Sequence, residues 1–396
     1  MEEVKTLINI AIQNSTHDMT SGASHSLIGM AKEIKKVGKY NPIIILPESG
    51  ELEKKLKESN IECYVINDYR KDMWSTGLDT LQSYHAIKIY TKLVLSPIRV
   101  RNYIKQIRNI LISKNIKLVH VNMLTCGLVG QVAIKMGIPV VWHMREYLEE
   151  DIRAKILRPK KRLMIINQSK RLIAISEGVK NKFQNILIPP IDVIYNGIDF
   201  NPNEILQREI FTNNKVKVAI FGRVSEKKGQ FELVQAMEKL YDEKNLDYKL
   251  LIYGSIQEND YFGEIQDFIK VHSAENRIQY KGITSHPIEV MKKIDILGVC
   301  SSQEAFGRVT VEGQIAGCLV IGANSGGTKE LIDNGVTGYK YITHNIDNLA
   351  NVIWSSIQNK KTSNKIATAG QSYAIKHFSA RKNAEKIMNL YDKLLS

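Results

Sequence analysis

The sequence predicts an α/β protein with two doubly wound domains, each a parallel sheet covered by helices on both faces. Three observations support this prediction. The chain has 396 residues, more than one hydrophobic core usually spans, so two to three domains are expected. Short apolar runs rich in Val and Ile alternate with amphipathic stretches, as in parallel sheets with helical connections. The alternation stops once, over residues 198–214, and then restarts.

The first half of the chain contains runs that are short and apolar on both faces, as buried parallel strands are. These predicted strands are Leu7–Gln13, Pro42–Leu46, Cys63–Ile66, Leu118–Asn122, Val140–His143, Leu172–Ile175 and Val193–Tyr195. The stretches between them show helical patterns at Ser24–Val37, Glu51–Ser59, Val129–Met136 and Glu177–Phe183. Segments 86–114 and 153–171 also look helical, with Leu, Ile and Tyr alternating with Lys and Arg.

Residues 198–214 are polar and rich in turn formers, and we interpret them as an interdomain linker. The strands predicted after it are Val216–Phe221, Leu250–Tyr253, Ile278–Tyr280, Leu297–Cys300 and Leu319–Gly322. The helices predicted there are Gln230–Tyr241, Phe262–Ala274, Glu289–Lys293, Val309–Ala316 and Thr328–Ile332. From Asn345 the pattern is helical only and ends in Ala380–Leu394.

Composition excludes several classes of protein. With 43% hydrophobic and 24% charged residues, the chain is globular rather than disordered or fibrous. No apolar run reaches the length of a membrane span, and the acidic start Met1-Glu-Glu predicts no export signal. The cysteines are widely spaced and show no zinc pattern, so we expect reduced thiols and a cytoplasmic protein. They are Cys63, Cys126, Cys300 and Cys318.

The formal net charge of +14 is unevenly distributed. Residues 1–200 hold 30 Lys and Arg against 19 Asp and Glu, whereas residues 201–396 hold 25 against 22. No acid occurs between Asp79 and Glu146, a stretch with many cations: Lys88, Lys92, Arg99, Arg101, Lys105, Arg108, Lys114, Lys117, Lys135 and Arg145. Such a field attracts nucleic acid, phospholipid headgroups or a phosphorylated substrate, and charge alone does not choose among them.

Open α/β sheets bind ligands at the carboxyl ends of their strands, and two such domains facing each other would form a cleft. The loop after the first strand, Asn14 to His25, lacks the G-x-G-x-x-G dinucleotide fingerprint. Gly22 stands where the next helix is predicted to begin. A glycine there lets a phosphate approach the amides of the helix N-terminus, although taken alone it is more often a simple helix-entry glycine.

The second half opens with the strand-to-helix loop Phe221-Gly-Arg-Val-Ser-Glu-Lys-Lys-Gly229. Arg223 and Lys228 in this loop suit a diphosphate, because Arg binds it bidentately and Lys as a compact charge. Lys227 is more typical of solvated surface charge.

The segment from Ser301 to Ile321 follows a predicted buried strand and is rich in glycine. Gly307 indicates a tight turn before a helix, whose first amides, around Phe306 to Val309, can hold phosphate. Glu304 is predicted in the loop and Glu312 about one turn inside the helix. Carboxylates beside an anion site suit the binding of sugar or ribose hydroxyls, although isolated acids are more often surface charge.

These residues resemble a known family. Glu304 and Glu312 enclose seven residues, and this E-x7-E pattern within EAFGRVTVEG…AG…VIGANSGGTKELI resembles the nucleotide-sugar motif of glycosyltransferase family 4, retaining enzymes of the GT-B fold. FGRVSEKKG is similar to the family's R-x4-K phosphate motif, and Asp192-Val-Ile-Tyr-Asn-Gly-Ile-Asp199 resembles its interdomain signature. The resemblance covers most of the chain, is strong over 215–340 and is weak over 60–115.

The resemblance implies two Rossmann-like domains facing a central cleft. Residues 1–200 would bind the acceptor, residues 201–378 the nucleotide-sugar donor, and helix 379–396 would pack back towards the N-terminal domain. Gly22, Arg223 and Lys228 would hold the donor diphosphate, Glu312 the ribose, and Glu304 the donor sugar. Backbone amides near Phe306 and Gly307 would assist at the sugar and phosphate.

The family likeness also implies roles for three strand-end residues. His143 would line the donor sugar and acceptor, although a histidine there is otherwise more often a satisfied core residue. Gly254 and Ile283 would contact the base or phosphate through their backbone. The sequence departs from the family where Gly313 and Gln314 replace the more usual Ala-Met, which we expect to soften the start of that helix. Arg308 would add a cation beside the phosphate site.

The implied reaction is metal-independent transfer with retention of anomeric configuration. No Asp-x-Asp occurs, so neither a metal nor another cofactor is expected, and cations and a helix N-terminus would stabilise the leaving diphosphate. Front-face attack, with the leaving phosphate accepting the acceptor's proton, needs no enzymic nucleophile.

The expected partners are a UDP-sugar rather than a GDP-sugar, and a glycan or polyprenyl-diphosphate-linked acceptor in surface polysaccharide synthesis. We expect the basic N-terminal domain to dock peripherally on an anionic membrane. A nucleotide-sugar epimerase on the same scaffold is the alternative enzyme. Nucleic-acid binding is disfavoured, since no known module or aromatic stacking residues accompany the basic segments.

Overall fold

The computed structural model describes residues 7–19, 21–67, 74–78, 98 and 100–396. The chain divides into two compact units. Unit 1 comprises Met1–Asp199 together with Ala380–Ser396, and unit 2 comprises Phe200–Ser379.

Unit 1 is built on a parallel sheet with helices on both faces. The strands of this sheet are β1 (Ile8–Gln13), β2 (Tyr40–Leu46), β3 (Glu62–Val65), β5 (Leu118–Val121), β6 (Val140–Met144), β8 (Arg171–Ala174) and β9 (Ile191–Val193). Two further strands, β4 (Ser75–Gly77) and β7 (Ala154–Ile156), form a separate antiparallel pair. The helices of unit 1 are α1 (Gly22–Val37), α2 (Glu51–Glu58), α3 (Arg101–Ser113), α4 (Leu128–Lys135), α5 (Pro159–Ile166), α6 (Glu177–Phe183) and the C-terminal α14 (Ala380–Leu395).

Unit 2 repeats the architecture. Its strands are β10 (Val216–Phe221), β11 (Tyr248–Tyr253), β12 (Ile278–Gly282), β13 (Ile296–Val299), β14 (Leu319–Ala323) and β15 (Tyr339–Tyr341). Its helices are α7 (Gln230–Lys244), α8 (Asn259–Val271), α9 (Pro287–Met291), α10 (Arg308–Ile315), α11 (Thr328–Leu331), α12 (Ile346–Gln358) and α13 (Lys360–His377). The predicted fold class, two doubly wound parallel-sheet domains, is confirmed.

Strand order shows where each sheet can bind a ligand. The unit 1 order is β3-β2-β1-β5-β6-β8-β9, and the unit 2 order is β12-β11-β10-β13-β14-β15. The order reverses between β1 and β5 in unit 1 and between β10 and β13 in unit 2. Ligands of open α/β sheets bind outside the carboxyl ends of the strands at such a switch point. The loops after β10 and β13, which contain Arg223 and Glu304, flank the switch point of unit 2.

The C-terminal helix belongs to the core of unit 1. Its Ala384, Ile387 and Tyr391 are buried with Leu27 of α1 in one hydrophobic cluster. At the start of the helix, a Cβ on Gly197 would lie 2.5 Å from the Cα of Ala380, so only a residue without a side chain fits there. This close approach fixes where α14 joins the unit.

Several local predictions are wrong. The last strand of the unit 1 sheet is Ile191–Val193, not Val193–Tyr195, and the strands β4, β7 and β15, each of three residues, were not predicted. Segment 153–171 is not one helix, because β7 occupies its start and α5 covers only Pro159–Ile166. Of segment 86–114, helix α3 covers Arg101–Ser113, while residues 86–97 and 99 lie outside the described residues.

The predicted linker is largely irregular, but part of it packs into the core of unit 2. It contains one short 3-10 helix, Pro202–Glu204, and then Ile210 and Phe211 enter the hydrophobic core of unit 2. Within the described part of the chain, no helix has both the length and the apolar character needed to cross a membrane.

Candidate active site

The loop after β10 carries both cations that the sequence predicted. Arg223 is exposed two residues beyond the strand, and the chain then forms a 3-10 turn over Glu226–Lys228. Gly229 closes that turn against the end of β13, where an added Cβ would lie 2.6 Å from the carbonyl oxygen of Cys300. The two strand-end loops are therefore packed together at the switch point.

Lys228 and Glu304 form an ion pair across these loops. The Nζ of Lys228 donates to Oε1 of Glu304, and the hydroxyl of Ser301 donates to the same oxygen at 2.9 Å. The Lys228 side chain is 24% exposed and that of Glu304 is 20% exposed, so both can reach a ligand. The structure thus joins two residues that the sequence analysis assigned to diphosphate and sugar.

Backbone contacts hold the Glu304 loop in place. The amide of Gly327 donates to the carbonyl of Glu304 at 2.7 Å, and the hydroxyl of Ser325 donates to the carbonyl of Ser301 at 2.8 Å. An added Cβ on Gly327 would lie 2.2 Å from the carbonyl oxygen of Phe306. The buried Phe306 and the Glu304 backbone are consequently fixed by a neighbouring loop that tolerates no side chain at this position.

Helix α10 begins directly after this loop. Gly307 has a φ of +96°, a conformation that favours glycine, and Arg308 is the first helical residue. Glu312 is buried one turn later, and its Oε1 accepts from Nε of Arg308 at 2.8 Å. Burial raises the pKa of the Glu312 carboxyl, and the Arg308 guanidinium opposes that rise. Arg308 therefore contacts Glu312, which the sequence analysis did not predict.

Gly313 and Gln314 lie near the end of α10 (Arg308–Ile315), so the expectation that they soften its start is wrong. A Cβ on Gly313 would lie 2.1 Å from Cδ2 of Leu297, so the glycine lets the helix pack closely on β13. Gln314 is buried, and its amide donates to the carbonyls of Leu331 and Thr337 at 3.1 and 3.2 Å. Both residues therefore hold the helix in contact with its neighbours.

Gly254 and Ile283 directly follow the ends of β11 and β12. A Cβ on Gly254 would lie 1.9 Å from the carbonyl oxygen of Gly222, so the glycine lets the end of β11 approach the end of β10 closely. The Gly254 amide donates to the carbonyl of Gly282 at 2.8 Å, and its carbonyl accepts from the Tyr280 hydroxyl at 2.7 Å. Ile283 is 76% exposed. A ligand at Gly254 can use only the remaining lone pair of its carbonyl.

At the carboxyl edge of the unit 1 sheet, Gly22 is the first residue of α1. The helix is capped by Ser21, whose hydroxyl accepts from the amide of Ser24 at 3.2 Å. Gly22 thus lies at a helix N-terminus next to the switch point of this sheet, where the helix dipole favours anions.

His143 is fully buried near the end of β6. Its Nδ1 lies 3.1 Å from Nε2 of His120, and Nδ1 of His120 lies 2.6 Å from the hydroxyl of Tyr391 on α14. Burial, aided by the Arg145 charge, lowers the pKa of His120 to about 3 and also lowers that of His143. Nε2 of His143 is buried without a hydrogen-bond partner among the described residues, so His143 is only half satisfied as a core histidine.

A buried polar cluster at the ends of β5 and β6 was missed by the sequence analysis. Arg145, counted there as part of an anion-attracting field, is buried, donates from Nε to Asn122 at 2.9 Å and contacts Asn196. Glu146 accepts from the amides of Leu124, Thr125 and Arg145 at 2.7–3.2 Å. The available signal was His120 and Asn122 in an otherwise apolar strand, since polar residues buried on a sheet need partners.

The candidate site offers cations, carboxylates and backbone amides. Among the described residues, no group of three or more His, Cys, Asp or Glu side chains could hold a metal ion. Burial raises the pKa of Cys300 to about 12 and that of Cys318 to about 11, so both are thiols at neutral pH.

Two family models match the chain in succession. The model described as glycosyltransferase family 4 matches residues 49–201, and the model described as glycosyl transferases group 1 matches residues 203–373. The boundary between the matches coincides with the boundary between the two units.

Curated relatives include a Staphylococcus aureus capsular polysaccharide biosynthesis glycosyltransferase, CapM, 24% identical over 57% of this chain and 62% of its own length. The Bacillus anthracis N-acetyl-alpha-D-glucosaminyl L-malate synthase is 30% identical over 44% of this chain and 46% of its own length. The chain thus matches about half the length of these relatives.

Solved structures show the same fold over nearly the whole chain. A glycosyltransferase from Rickettsia africae has a TM-score of 0.78 at 24% identity, covering 98% of this chain and 99% of that one. Anabaena Alr3699/HepE, in complex with UDP and glucose, has a TM-score of 0.73 at 23% identity, covering 98% and 100%. These likenesses confirm the predicted GT-B fold.

Proposed function

The chain belongs to the glycosyltransferases that combine a family 4 and a group 1 domain on the GT-B fold, and we propose that it is a retaining, metal-independent enzyme. It transfers a sugar from a nucleoside-diphosphate sugar to a glycan or lipid-linked acceptor in surface polysaccharide synthesis. The observation that carries this proposal is the Lys228–Glu304 pair beside the N-terminus of α10, at the switch point of unit 2.

The pair supplies what cleavage of a glycosyl–phosphate bond requires. Negative charge grows on the leaving diphosphate, and Lys228, Arg223 and the first amides of α10 are the groups that stabilise it. Glu304 accepts hydrogen bonds from the sugar's hydroxyls, and buried Glu312 accepts from the ribose. These cations take the place of a divalent metal in the proposed reaction.

Retention follows from front-face attack. The acceptor hydroxyl oxygen forms the new bond to the anomeric carbon on the face from which the diphosphate leaves. The acceptor's proton passes to the oxygen of the leaving phosphate, so no protein carboxylate bonds to the sugar. In this mechanism Glu304 binds and orients the sugar; it is not a nucleophile.

UDP is the proposed nucleotide, because the HepE structure that shares this fold contains UDP and glucose. A polysaccharide acceptor is supported by the likeness to CapM. The alternative epimerase would convert the sugar while leaving it on its nucleotide.

The donor proposal is tested with a panel of UDP- and GDP-sugars. UDP should raise the melting temperature more than GDP, because a ligand that binds only the folded state stabilises it. Release of UDP should depend on acceptor and fall by about 10²-fold in Lys228→Ala, the scale of losing one charged donor at a leaving group. Lys227→Ala is the matched control with the same charge change. Equal turnover in both variants contradicts the proposal, and sugar conversion without UDP release indicates an epimerase.

Membrane docking is proposed for helix α3. Arg101, Lys105 and Arg108 are exposed and share one helix face by their spacing, and Ile112 near the helix end is also exposed. Basic and apolar side chains on one helix suit the surface of an anionic membrane.

Co-sedimentation with vesicles containing anionic lipid tests this surface. Reversing the three α3 charges to Glu should abolish binding at low salt, since each cation near such a surface contributes about 1 kcal/mol. The control reverses three exposed lysines of unit 2, Lys360, Lys361 and Lys365, which should bind like the wild type. Equal loss in both triple variants would show that only net charge matters.

A further inference from the structure

Three buried side chains of unit 1 form a hydrogen-bonded chain that ends at His143. The hydroxyl of Tyr391 lies 2.6 Å from Nδ1 of His120, and Nε2 of His120 lies 3.1 Å from Nδ1 of His143. All three residues are fully buried. Tyr391 lies on the C-terminal helix, 271 residues along the chain from His120.

Both imidazoles are neutral at neutral pH, because burial lowers the pKa of each. Each neutral ring has one nitrogen that donates and one that accepts. The two facing nitrogens of His120 and His143 must then share a single proton. The hydrogen bonds can run in two directions. In one direction Nε2 of His143 carries a proton and is a donor, and in the other it has a lone pair and is an acceptor.

Tyr391 distinguishes the two directions. Among the described residues, Nδ1 of His120 is the hydrogen-bond partner of its hydroxyl. Either direction leaves one buried donor without an acceptor, and the two directions differ in where it lies. If His120 donated to Tyr391, the unpaired proton would be the phenolic one, inside the hydrophobic cluster that α1 and α14 share. If Tyr391 donates, the unpaired proton is on Nε2 of His143, near the carboxyl end of β6, where a ligand oxygen can accept it. The neighbouring Tyr40 lies edge-on with ring centroids 5.4 Å apart, and its own hydroxyl donates to Asp392. Tyr391 is therefore the donor.

We infer that Tyr391, acting through His120, fixes His143 in the tautomer that carries its proton on Nε2. Tyr391 donates to Nδ1 of His120, whose Nε2–H donates to Nδ1 of His143, so the outer nitrogen of His143 is a hydrogen-bond donor and not a base. The N–H at this Nε2 has no acceptor among the described residues, and the group that suits it is an oxygen atom of a ligand, which would accept its hydrogen bond. Tyr391 and His120 are positioning residues for His143.

The inference gives His143 a defined role, and in this respect it rests on the proposed function. A donor at Nε2 can bind a hydroxyl or phosphate oxygen of the substrate but cannot remove the proton of the acceptor hydroxyl. That limit agrees with a transfer in which the leaving phosphate takes this proton.

The tautomers can be measured directly with ¹⁵N-labelled histidine and long-range ¹H–¹⁵N correlation NMR. The full-length wild type should show both His120 and His143 protonated on Nε2, with assignments from His120→Gln and His143→Gln. In Tyr391→Phe the donor to His120 is lost, and a population of His143 protonated on Nδ1 should appear. Tyr40→Phe is the matched control, because it removes a neighbouring phenol outside the chain, and its imidazole shifts should match the wild type.

Kinetics supply the second readout. Tyr391→Phe should lower kcat about tenfold, the effect of losing one oriented hydrogen bond, with the KM for the donor little changed and with Tyr40→Phe near wild type. A wild-type His143 protonated on Nδ1, or identical imidazole spectra in wild type and Tyr391→Phe, would overturn the inference. The wild-type spectrum decides the matter even if Tyr391→Phe does not fold. Absence of sugar transfer with the expected tautomers would instead overturn the proposed function alone.

Discussion

Replacing Glu304 by Gln should separate nucleotide binding from sugar transfer. The substitution keeps the shape of the side chain and an oxygen that can accept from Ser301, but it removes the negative charge that pairs with Lys228. UDP, which lacks the sugar to be transferred, then meets Lys228 without competition from a carboxylate. We expect UDP to bind more tightly to the variant while transfer from the UDP-sugar is largely lost.

The structure sets the size of both effects. Lys228 and Glu304 are 24% and 20% exposed, so the pair is partly solvated and worth about 0.5–1 kcal/mol. Releasing it should lower the Kd of UDP about two- to fivefold. A hydrogen bond to a charged group contributes about 1.5–3 kcal/mol, so losing the carboxylate that binds the sugar should lower kcat/KM by about 10- to 150-fold.

Calorimetry with UDP and an assay of UDP release measure the two quantities separately. Glu289→Gln is the matched control, because it removes an exposed carboxylate that pairs with Lys292 at 2.6 Å in the same unit. It should change neither quantity. If Glu304→Gln instead weakened UDP binding in parallel with transfer, Glu304 would be holding the loop rather than the sugar, and the assigned role would be refuted.

Two further predictions concern stability. Gly313→Ala should lower the unfolding free energy by about 1–3 kcal/mol in urea, because its Cβ would lie 2.1 Å from Cδ2 of Leu297, whereas Gly263→Ala, in open space on α8, should raise it by about 0.5–1 kcal/mol. Burial raises the pKa of Glu146 to about 8, above its ordinary value of 4.5, so the folded protein holds a proton that the unfolded chain releases. The urea midpoint should therefore decrease as the pH rises from about 5 to about 8, and it should decrease less steeply with pH in Glu146→Gln. A midpoint that increases over this range would contradict the assignment.

The fold was predictable because its strands are parallel and buried on both faces. Val216–Phe221 was predicted with its observed bounds, since a continuous apolar run between polar turns has few other interpretations. The strands that were missed have three residues each, too few for a pattern. Ala154–Ile156, for example, alternates buried and exposed residues only once, and it pairs with Ser75–Gly77 far away in the sequence.

The candidate site was predictable where function depends on local sequence. Arg223, Lys228, Glu304 and Gly307 stand in strand-end loops that a parallel sheet gathers at one edge. The role of Tyr391 could not be predicted, because its partner is 271 residues away and depends on the return of the last helix to unit 1.

The basic residues show this limit most clearly, because the sequence gives their number but not their positions in the fold. Within the acid-free stretch of the N-terminal half, Arg145 is buried among asparagines and Lys114 pairs with Glu62 at 2.7 Å, so neither adds to a free anion-attracting surface. In the described part of this stretch, the exposed cations are Arg101, Lys105 and Arg108 on one face of α3 together with Lys117 and Lys135. The net charge of +14 is therefore a poor measure of any binding surface. The vesicle experiment reverses only Arg101, Lys105 and Arg108, because the proposed membrane docking is assigned to the helix face that these three side chains share.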